Sequence, residues 1–115
     1  GSIMISEIFW FTKTPSEETR EFFAEYHPTM MTEEEGFQII RNAGLKLIGS
    51  FRLPSHVWEE SFYGQLRERF GKLDEEYADD KDALMVIDGL KRQTDIFDRY
   101  SDEFGNTYLI MRKSL

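Results

Sequence analysis

A hydroxyl group and a carboxylate interrupt the first apolar stretch of the chain, and aromatic side chains follow them. Ser6 and Glu7 lie within a run that is otherwise apolar and continues through Trp10 to Phe11. A carboxylate at the end of a buried strand can orient a polar substrate or accept a proton from it. Open α/β sheets place their ligands at the carboxyl ends of their strands, so this position is a candidate binding site. Glu7 can instead be a strand end that meets solvent or pairs with a basic side chain.

Two aromatic residues are further candidates for a binding pocket. Trp10 follows the polar pair and can line an apolar pocket, or it can pack in the core beneath the first helix. Tyr63 lies off the apolar stripe of its helix, so its hydroxyl group is available for a hydrogen bond to a ligand. We therefore predict Glu7, Trp10 and Tyr63 as ligand-binding residues, and the sequence identifies no catalytic residue.

Several cofactor and metal motifs are missing from the sequence. Neither G-x-G-x-x-G nor G-x-x-x-x-G-K-[ST] occurs, and the glycines are too widely spread to build a phosphate or adenosyl cradle. The chain has no cysteine, and its two histidines lie in different segments, so we expect neither a disulfide framework nor a zinc site. We predict no cofactor-binding and no metal-binding residues in this chain.

The composition indicates an acidic globular protein. A length of 115 residues predicts a single domain over residues 1–115. A net charge of -8 repels phosphate backbones and so argues against a nucleic-acid partner. No apolar run approaches the roughly 20 residues of a membrane span. With no cysteine and no signal-like N-terminus, these features predict a cytoplasmic protein that binds neither nucleic acid nor a membrane.

Three segments have the pattern of β-strands. Residues 3–11 form a nearly continuous apolar run, which is typical of a strand covered on both faces. A second strand is predicted before Pro54. Its period of two places Leu45, Leu47, Gly49, Phe51 and Leu53 in alternation with Lys46, Ile48, Ser50 and Arg52. A third strand follows the turn at residues 105–106 and ends near Lys113.

Four segments have helical patterns. Thr14 is the predicted N-cap of the first helix, with Pro15 in its first turn. Thr32 and Glu35 form a predicted capping box for the second helix, which ends at Gly44 in a left-handed conformation. Two longer helices with apolar stripes follow Pro54. The order β-α-α-β-α-α-β predicts a small sheet with helices packed on it.

In their order and spacing, these segments resemble the C-terminal half of class I S-adenosylmethionine-dependent methyltransferases, especially bacterial enzymes that act on small molecules. The resemblance covers essentially the whole chain. It rests on Ser6-Glu7 with the aromatic residues after it, on residues 22–28 after Pro15, on Phe51-Arg52-Leu53-Pro54, on Trp58 with Phe62-Tyr63, and on residues 104–113.

The resemblance implies an α/β fold, or α+β for the segment alone. The three strands would be the fifth, sixth and seventh of the family, in local order 5-7-6, in a small mixed sheet with four helices packed on it. The family's cofactor site lies in the N-terminal half, so S-adenosylmethionine is expected for the complete enzyme and no cofactor for this fragment. By position in the family fold, Glu7, Trp10 and Tyr63 would contact the small-molecule acceptor.

Three functional hypotheses follow. The first is a C-terminal portion of a small-molecule methyltransferase that is inactive alone. The second is a self-sufficient α+β binding or dimerisation module without catalysis, and the third is a small standalone enzyme with an acid–base site at Glu7. Removal of the preceding strands would leave the first strand as an edge with unpaired backbone groups, so we expect a homodimer through residues 3–11.

Overall fold

The elements follow the predicted order along the chain. The structure is a computed structural model and describes residues 1–113. Its strands and helices are β1 Ser2–Trp10, α1 Glu17–Tyr26, α2 Glu33–Asn42, β2 Leu45–Arg52, α3 Ser55–Trp58, α4 Gly64–Glu76, α5 Lys81–Tyr100 and β3 Phe104–Lys113. A π-helical turn, Glu59–Tyr63, joins α3 to α4, so the helical stretches number four in the described part of the chain. None of these helices is both long and apolar enough to cross a membrane.

The last strand lies in the middle of the sheet. The strand order is β1-β3-β2, and β3 is antiparallel to both neighbours. The strands β1 and β2 therefore run in the same direction on either side of β3. This is the order predicted from the resemblance, and the α/β fold class with a three-stranded sheet is confirmed.

Two compact units make up the chain. The first contains residues 1–53 and the chain from residue 102, which supply the sheet, α1 and α2. Its core forms where α2 covers one face of the sheet, through Phe9, Ile40, Leu109 and Met111. The second unit is the continuous segment Pro54–Ser101 and is entirely helical in its regular structure.

Strand β1 is an exposed edge, whereas residues 3–11 were expected to be covered on both faces. Ile3 and Met4 are 53% and 61% exposed, because within residues 1–113 only β3 pairs along this part of β1. The N–H of Trp10 points away from β3 and donates to the carbonyl oxygen of Met31 at 2.8 Å. Backbone groups alternate in direction along a strand, so the even-numbered residues of β1 also point away from β3.

A β-bulge in β2 alters the predicted alternation. Leu47 lies opposite Met111, but Gly49 lies opposite Ile110, which leaves Ile48 as the extra residue. An inserted residue exchanges the two faces for the rest of the strand. Phe51 therefore does not share a face with Leu47, as uninterrupted alternation would require. It stacks on Tyr108 on the other face, with 5.0 Å between ring centroids.

The helix caps show where local signals were sufficient. The capping box of Thr32 and Glu35 is confirmed, as is the left-handed Gly44, which has φ 80°. The prediction of Thr14 as the first N-cap is wrong, because Ser16 occupies that position. The backbone N–H of Ser16 donates to Glu103 Oε1 at 3.0 Å, and its hydroxyl group lies 3.1 Å from the same oxygen. This distant carboxylate fixes Ser16 at the start of α1.

The π-helical turn predicts opposite stability effects at two glycines of α4. A Cβ atom on Gly64 would lie 2.7 Å from the carbonyl oxygen of Glu59, whereas one on Gly71 would have nothing within 4 Å. We expect Gly64→Ala to lower the free energy of unfolding by about 1–3 kcal/mol through this backbone clash. Gly71→Ala is the matched control and should raise it by about 0.5–1 kcal/mol. Urea unfolding followed by circular dichroism measures both, and an unchanged or stabilised Gly64→Ala variant would contradict the tight turn.

Candidate functional site

Glu7 lies beside an apolar groove on the face of the sheet that α2 covers. The groove has a volume of about 240 Å³ and is lined mainly by apolar side chains of β1, α2 and the segment between α1 and α2, with Glu7 and His27 as its titratable side chains. Strand β1 continues for three residues beyond Glu7, so the carboxylate lies inside the strand and not at its end. The groove therefore combines an apolar wall with a solvent-exposed carboxylate.

Trp10 lies at the carboxyl end of β1 and faces away from Glu7. Residues three apart on a strand point to opposite faces, and Trp10 packs edge-to-face against Phe23 of α1 with 5.4 Å between ring centroids. This contact fits the core alternative for Trp10. Trp10 also borders a second, smaller depression of about 160 Å³ together with Phe11, Thr12, Lys13, Thr32, Glu33 and Glu34.

Tyr63 lies in the interior of the second unit. Its side chain is 3% exposed and stacks on Phe97, with 4.2 Å between ring centroids. Its hydroxyl oxygen accepts a hydrogen bond from Gln93 Nε2 at 2.9 Å. Burial raises the pKa of this phenol above its ordinary value, and the hydrogen bond from Gln93 and the charge of Arg67 only partly offset that effect. Tyr63 is thus packed and hydrogen-bonded in the core of its unit.

A polar cluster that sequence reasoning missed lies at the carboxyl end of β2. The guanidinium group of Arg52 donates to the carboxylate of Glu33, with Nε 3.2 Å from Oε1 and 3.1 Å from Oε2 and Nη2 2.5 Å from Oε1. The buried hydroxyl group of Thr107 donates to Glu33 Oε2 at 2.7 Å. Arg52 also lies over the ring of Phe11, with its Cζ atom 3.9 Å from the ring centroid. We call these four residues the Arg52 cluster.

The bulge in β2 assembles the Arg52 cluster. After the bulge, Arg52 lies opposite Thr107 in the sheet, and both therefore point to the face where α2 begins with Glu33. In an uninterrupted strand Arg52 would point to the other face. The run Phe51-Arg52-Leu53-Pro54 was a sequence signal for this site. Strict alternation separates Arg52 from Leu47, whereas the bulge brings the two residues to the same face.

The Arg52 cluster lowers the pKa of the Glu33 carboxyl. Partial burial acts to raise the pKa of Glu33, but hydrogen bonds from Arg52 and Thr107 and the positive charge of Arg52 outweigh it. The pKa of Glu33 therefore lies below its ordinary value of 4.5. Glu33 in turn raises the pKa of Arg52. The cluster is a fixed ion pair under a buried hydroxyl group, which positions the start of α2 against the sheet.

The chain superposes on several solved structures. One is YjhP from Escherichia coli, with a TM-score of 0.72 and 16% identity over 100% of the chain. Another is an S-adenosylmethionine-dependent methyltransferase from Geobacter sulfurreducens in complex with S-adenosyl-L-homocysteine, with a TM-score of 0.70 and 17% identity over 98% of the chain. The chain covers 47% and 46% of these two proteins.

The fold is that of half a methyltransferase. The predicted resemblance to the C-terminal half of this fold is confirmed by these neighbours and by the strand order β1-β3-β2. A third similar structure, phosphoethanolamine N-methyltransferase 2 from Haemonchus contortus, contains phosphomonomethylethanolamine and S-adenosylhomocysteine; its TM-score is 0.63 at 16% identity, and the chain covers 27% of it. No protein-family model and no curated protein sequence matches the chain.

Three glycines of this chain are covered closely by the protein's own atoms. The space over Gly36 is filled by the ring of Phe9, and the space over Gly105 by the ring of Phe11. Gly64 closes on the backbone of Glu59. These close approaches serve the protein's own packing, so there is no space for an adenosyl group directly over these three glycines. Residues 1–113 also contain no group of three acidic or histidine side chains that could hold a metal ion.

The Arg52 cluster predicts a pH-dependent effect of Thr107→Val. Loss of a buried hydrogen bond to a charged group should lower the free energy of unfolding by about 1.5–3 kcal/mol at pH 7. A carboxyl group whose pKa is lowered by folding stabilises the fold above its unfolded pKa and loses that contribution as the pH falls through the folded value. The cost of Thr107→Val should therefore shrink below about pH 4.5, the ordinary pKa of Glu33.

Thr94→Val is the matched control for this prediction. Thr94 is also buried, but its hydroxyl group donates to the neutral carbonyl oxygen of Leu90 at 2.7 Å. The control should cost about 0.5–1.5 kcal/mol at both pH values. Chemical unfolding at pH 7 and near pH 3.5 measures the two variants, and a cost of Thr107→Val that does not change with pH would rule out a role for the Glu33 charge.

Proposed function

We propose that this chain is the C-terminal half of an S-adenosylmethionine-dependent methyltransferase that acts on a small molecule, and that it is inactive alone. The observation that carries the proposal is the sheet β1-β3-β2 with a free edge at β1, in a chain that spans about half of its structural neighbours. A further parallel strand on that edge would pair the backbone groups that β1 leaves open. The other half would also bring the cofactor.

A small molecule is the acceptor class that we favour. The Haemonchus contortus methyltransferase with a related fold contains a phosphorylated amine, phosphomonomethylethanolamine, which is a small polar molecule. The net charge of -8 makes a neutral or cationic acceptor easier to attract than an anionic polymer. This chain would contribute part of the wall that positions the acceptor near the cofactor, an effect of proximity and orientation.

We retain Glu7, Trp10 and Tyr63 as proposed acceptor-binding residues, with different support. Glu7 is supported by its exposed carboxylate beside the apolar groove. Trp10 is supported by the smaller depression that it borders at the carboxyl end of β1. Tyr63 has the weakest support, because its ring is packed against Phe97 and its hydroxyl group is bonded to Gln93.

Calorimetry with S-adenosylmethionine tests the assignment of the cofactor to the other half. We expect no tight binding by the isolated chain, because the space over Gly36, Gly64 and Gly105 is filled by the chain's own side chains and backbone. Micromolar affinity would contradict this assignment.

The genomic sequence upstream of the Gly1 codon gives an independent check. We expect it to encode, in frame, a strand, a G-x-G turn and a helix. A start codon with a ribosome-binding site at that point would instead favour a self-sufficient module.

A self-sufficient dimerisation module is the second candidate, and the exposed edge of β1 favours it. Ile3, Met4 and Ile5 are exposed in a row on a strand that lacks lysine and proline, the residues that commonly protect edges. We propose that the isolated chain forms a homodimer through the strand at residues 3–11. Such a pairing would cover apolar side chains and satisfy backbone groups at the same time.

Ser6→Pro tests this association without disturbing the sheet. The backbone N–H of Ser6 points away from β3, so proline removes a donor at the free edge and leaves the β1–β3 hydrogen bonds in place. Light scattering at high micromolar concentration should give a dimer for the unmodified chain and a monomer for Ser6→Pro. Ser6→Ala keeps the N–H and should remain dimeric. A monomeric unmodified chain would exclude the association.

A further inference from the structure

The outward-facing backbone groups of β1 are free along most of the strand, but at its carboxyl end the N–H of Trp10 is already hydrogen-bonded. Trp10 N–H already bonds to Met31, while the next N–H along the chain, that of Phe11, turns the other way and bonds to Glu103. The alternation places the outward groups of β1 on Ser2, Met4, Ser6 and Ile8. These four residues are the free edge of β1, and the occupied position at Trp10 limits any pairing at its carboxyl end.

We infer that a second copy of this chain pairs antiparallel with the free edge, with the two-fold axis between the two Ile5 residues. In this register Met4 lies opposite Ser6 of the other copy, and Ser2 lies opposite Ile8. Both residues of each pair face outward, so each pair exchanges two backbone hydrogen bonds. The two-fold axis repeats both pairs, which gives four pairs and about eight hydrogen bonds. The two sheets then join into one six-stranded sheet with β1 at its centre. The inference rests on the proposed association through β1 and is independent of methyl transfer.

Neighbouring registers use the free edge less well. An axis at Ser6 would place Ser2 opposite Trp10, whose N–H is already bonded to Met31. An axis at Glu7 would place two carboxylates directly opposite each other, which is unfavourable. An axis at Met4 would leave Ile8 without a partner. The axis at Ile5 is the register that pairs all four residues of the free edge and avoids Trp10.

The second copy would also complete the apolar groove. Ile5 and Glu7 form part of the groove on the face covered by α2. In the proposed register, Ile5 lies beside Ile5 of the other copy, and Glu7 lies beside the other copy's Ile3. Ile3 and Ile5 are 53% and 40% exposed in the single chain, so these contacts would remove apolar surface from water next to the groove. The groove would thus acquire a wall from the other copy.

Cysteine cross-linking measures the register directly, because the chain contains no cysteine of its own. Side chains at the central non-hydrogen-bonded pair lie close enough for a disulfide, so Ile5→Cys should form a covalent dimer under mild oxidation. In the same register two cysteines at position 7 would be about 13 Å apart, because residue 7 lies opposite residue 3. We therefore expect Ile5→Cys to cross-link about tenfold or more faster than Glu7→Cys.

Mixing two other single-cysteine variants gives the matched control. Ile3→Cys and Glu7→Cys should each fail to cross-link alone, yet should form a mixed disulfide when combined. The measurement is non-reducing electrophoresis with mass spectrometry, after circular dichroism has shown that each variant is folded. Equal cross-linking at all three positions, faster cross-linking of Glu7→Cys alone, or a folded Ile5→Cys variant that stays uncross-linked would each overturn the inferred register. Cofactor binding plays no part in this assay, so its failure is distinct from failure of the methyltransferase proposal.

Discussion

The sheet depends on β3, because β1 and β2 each pair with β3 and not with each other. The last strand of the chain therefore holds together two strands that are separated by α1 and α2 in sequence. Its inward residues Leu109 and Met111 join the same core cluster as Phe9 and Ile40. Because β3 is last in sequence but central in the sheet, it pairs with strands that are distant along the chain. Closing these long loops costs conformational entropy before the strand pairings can stabilise the fold.

The end of the sheet where β2 terminates is held in place by an ion pair as well as by packing. Thr107 of β3, Arg52 of β2 and Glu33 at the start of α2 meet in one hydrogen-bonded group. Removal of one member would leave a polar group near the sheet without its partner, which costs more than the net value of a single hydrogen bond. The aromatic rings of Phe9 and Phe11 cover Gly36 and Gly105 in the same region, so small residues and large rings are matched there.

The sequence was sufficient where the deciding interaction is local. The capping box at Thr32 depends on residues three apart, and the left-handed end at Gly44 depends on one residue. The strand order followed from the resemblance between the segments and a known fold. The N-cap at Ser16 and the direction of Arg52 could not be predicted in this way, because they depend on Glu103 and on an inserted residue in β2, which only the tertiary structure reveals.

Tyr63 illustrates the same limit at the candidate site. Its place off the helical stripe predicted a free hydroxyl group, but the stripe was drawn with the period of an α-helix. The π-helical turn at Glu59–Tyr63 adds a residue to that turn and rotates the side chains that follow, which brings Tyr63 onto Phe97. Because of this local change of helical period, Tyr63 lies in the core and not at the surface position that an α-helical period predicts.

The free edge of β1 links the two functional proposals, because one edge can pair with only one strand at a time. A parallel strand from a cofactor-binding half and an antiparallel strand from a second copy would use the same outward groups between Ser2 and Ile8. The two partners are therefore mutually exclusive. If the complete enzyme exists, its own preceding strand holds the edge at a high effective concentration and excludes the second copy. The homodimer is then a property of the chain on its own, and a complete protein that dimerised through β1 would have to leave that strand unpaired.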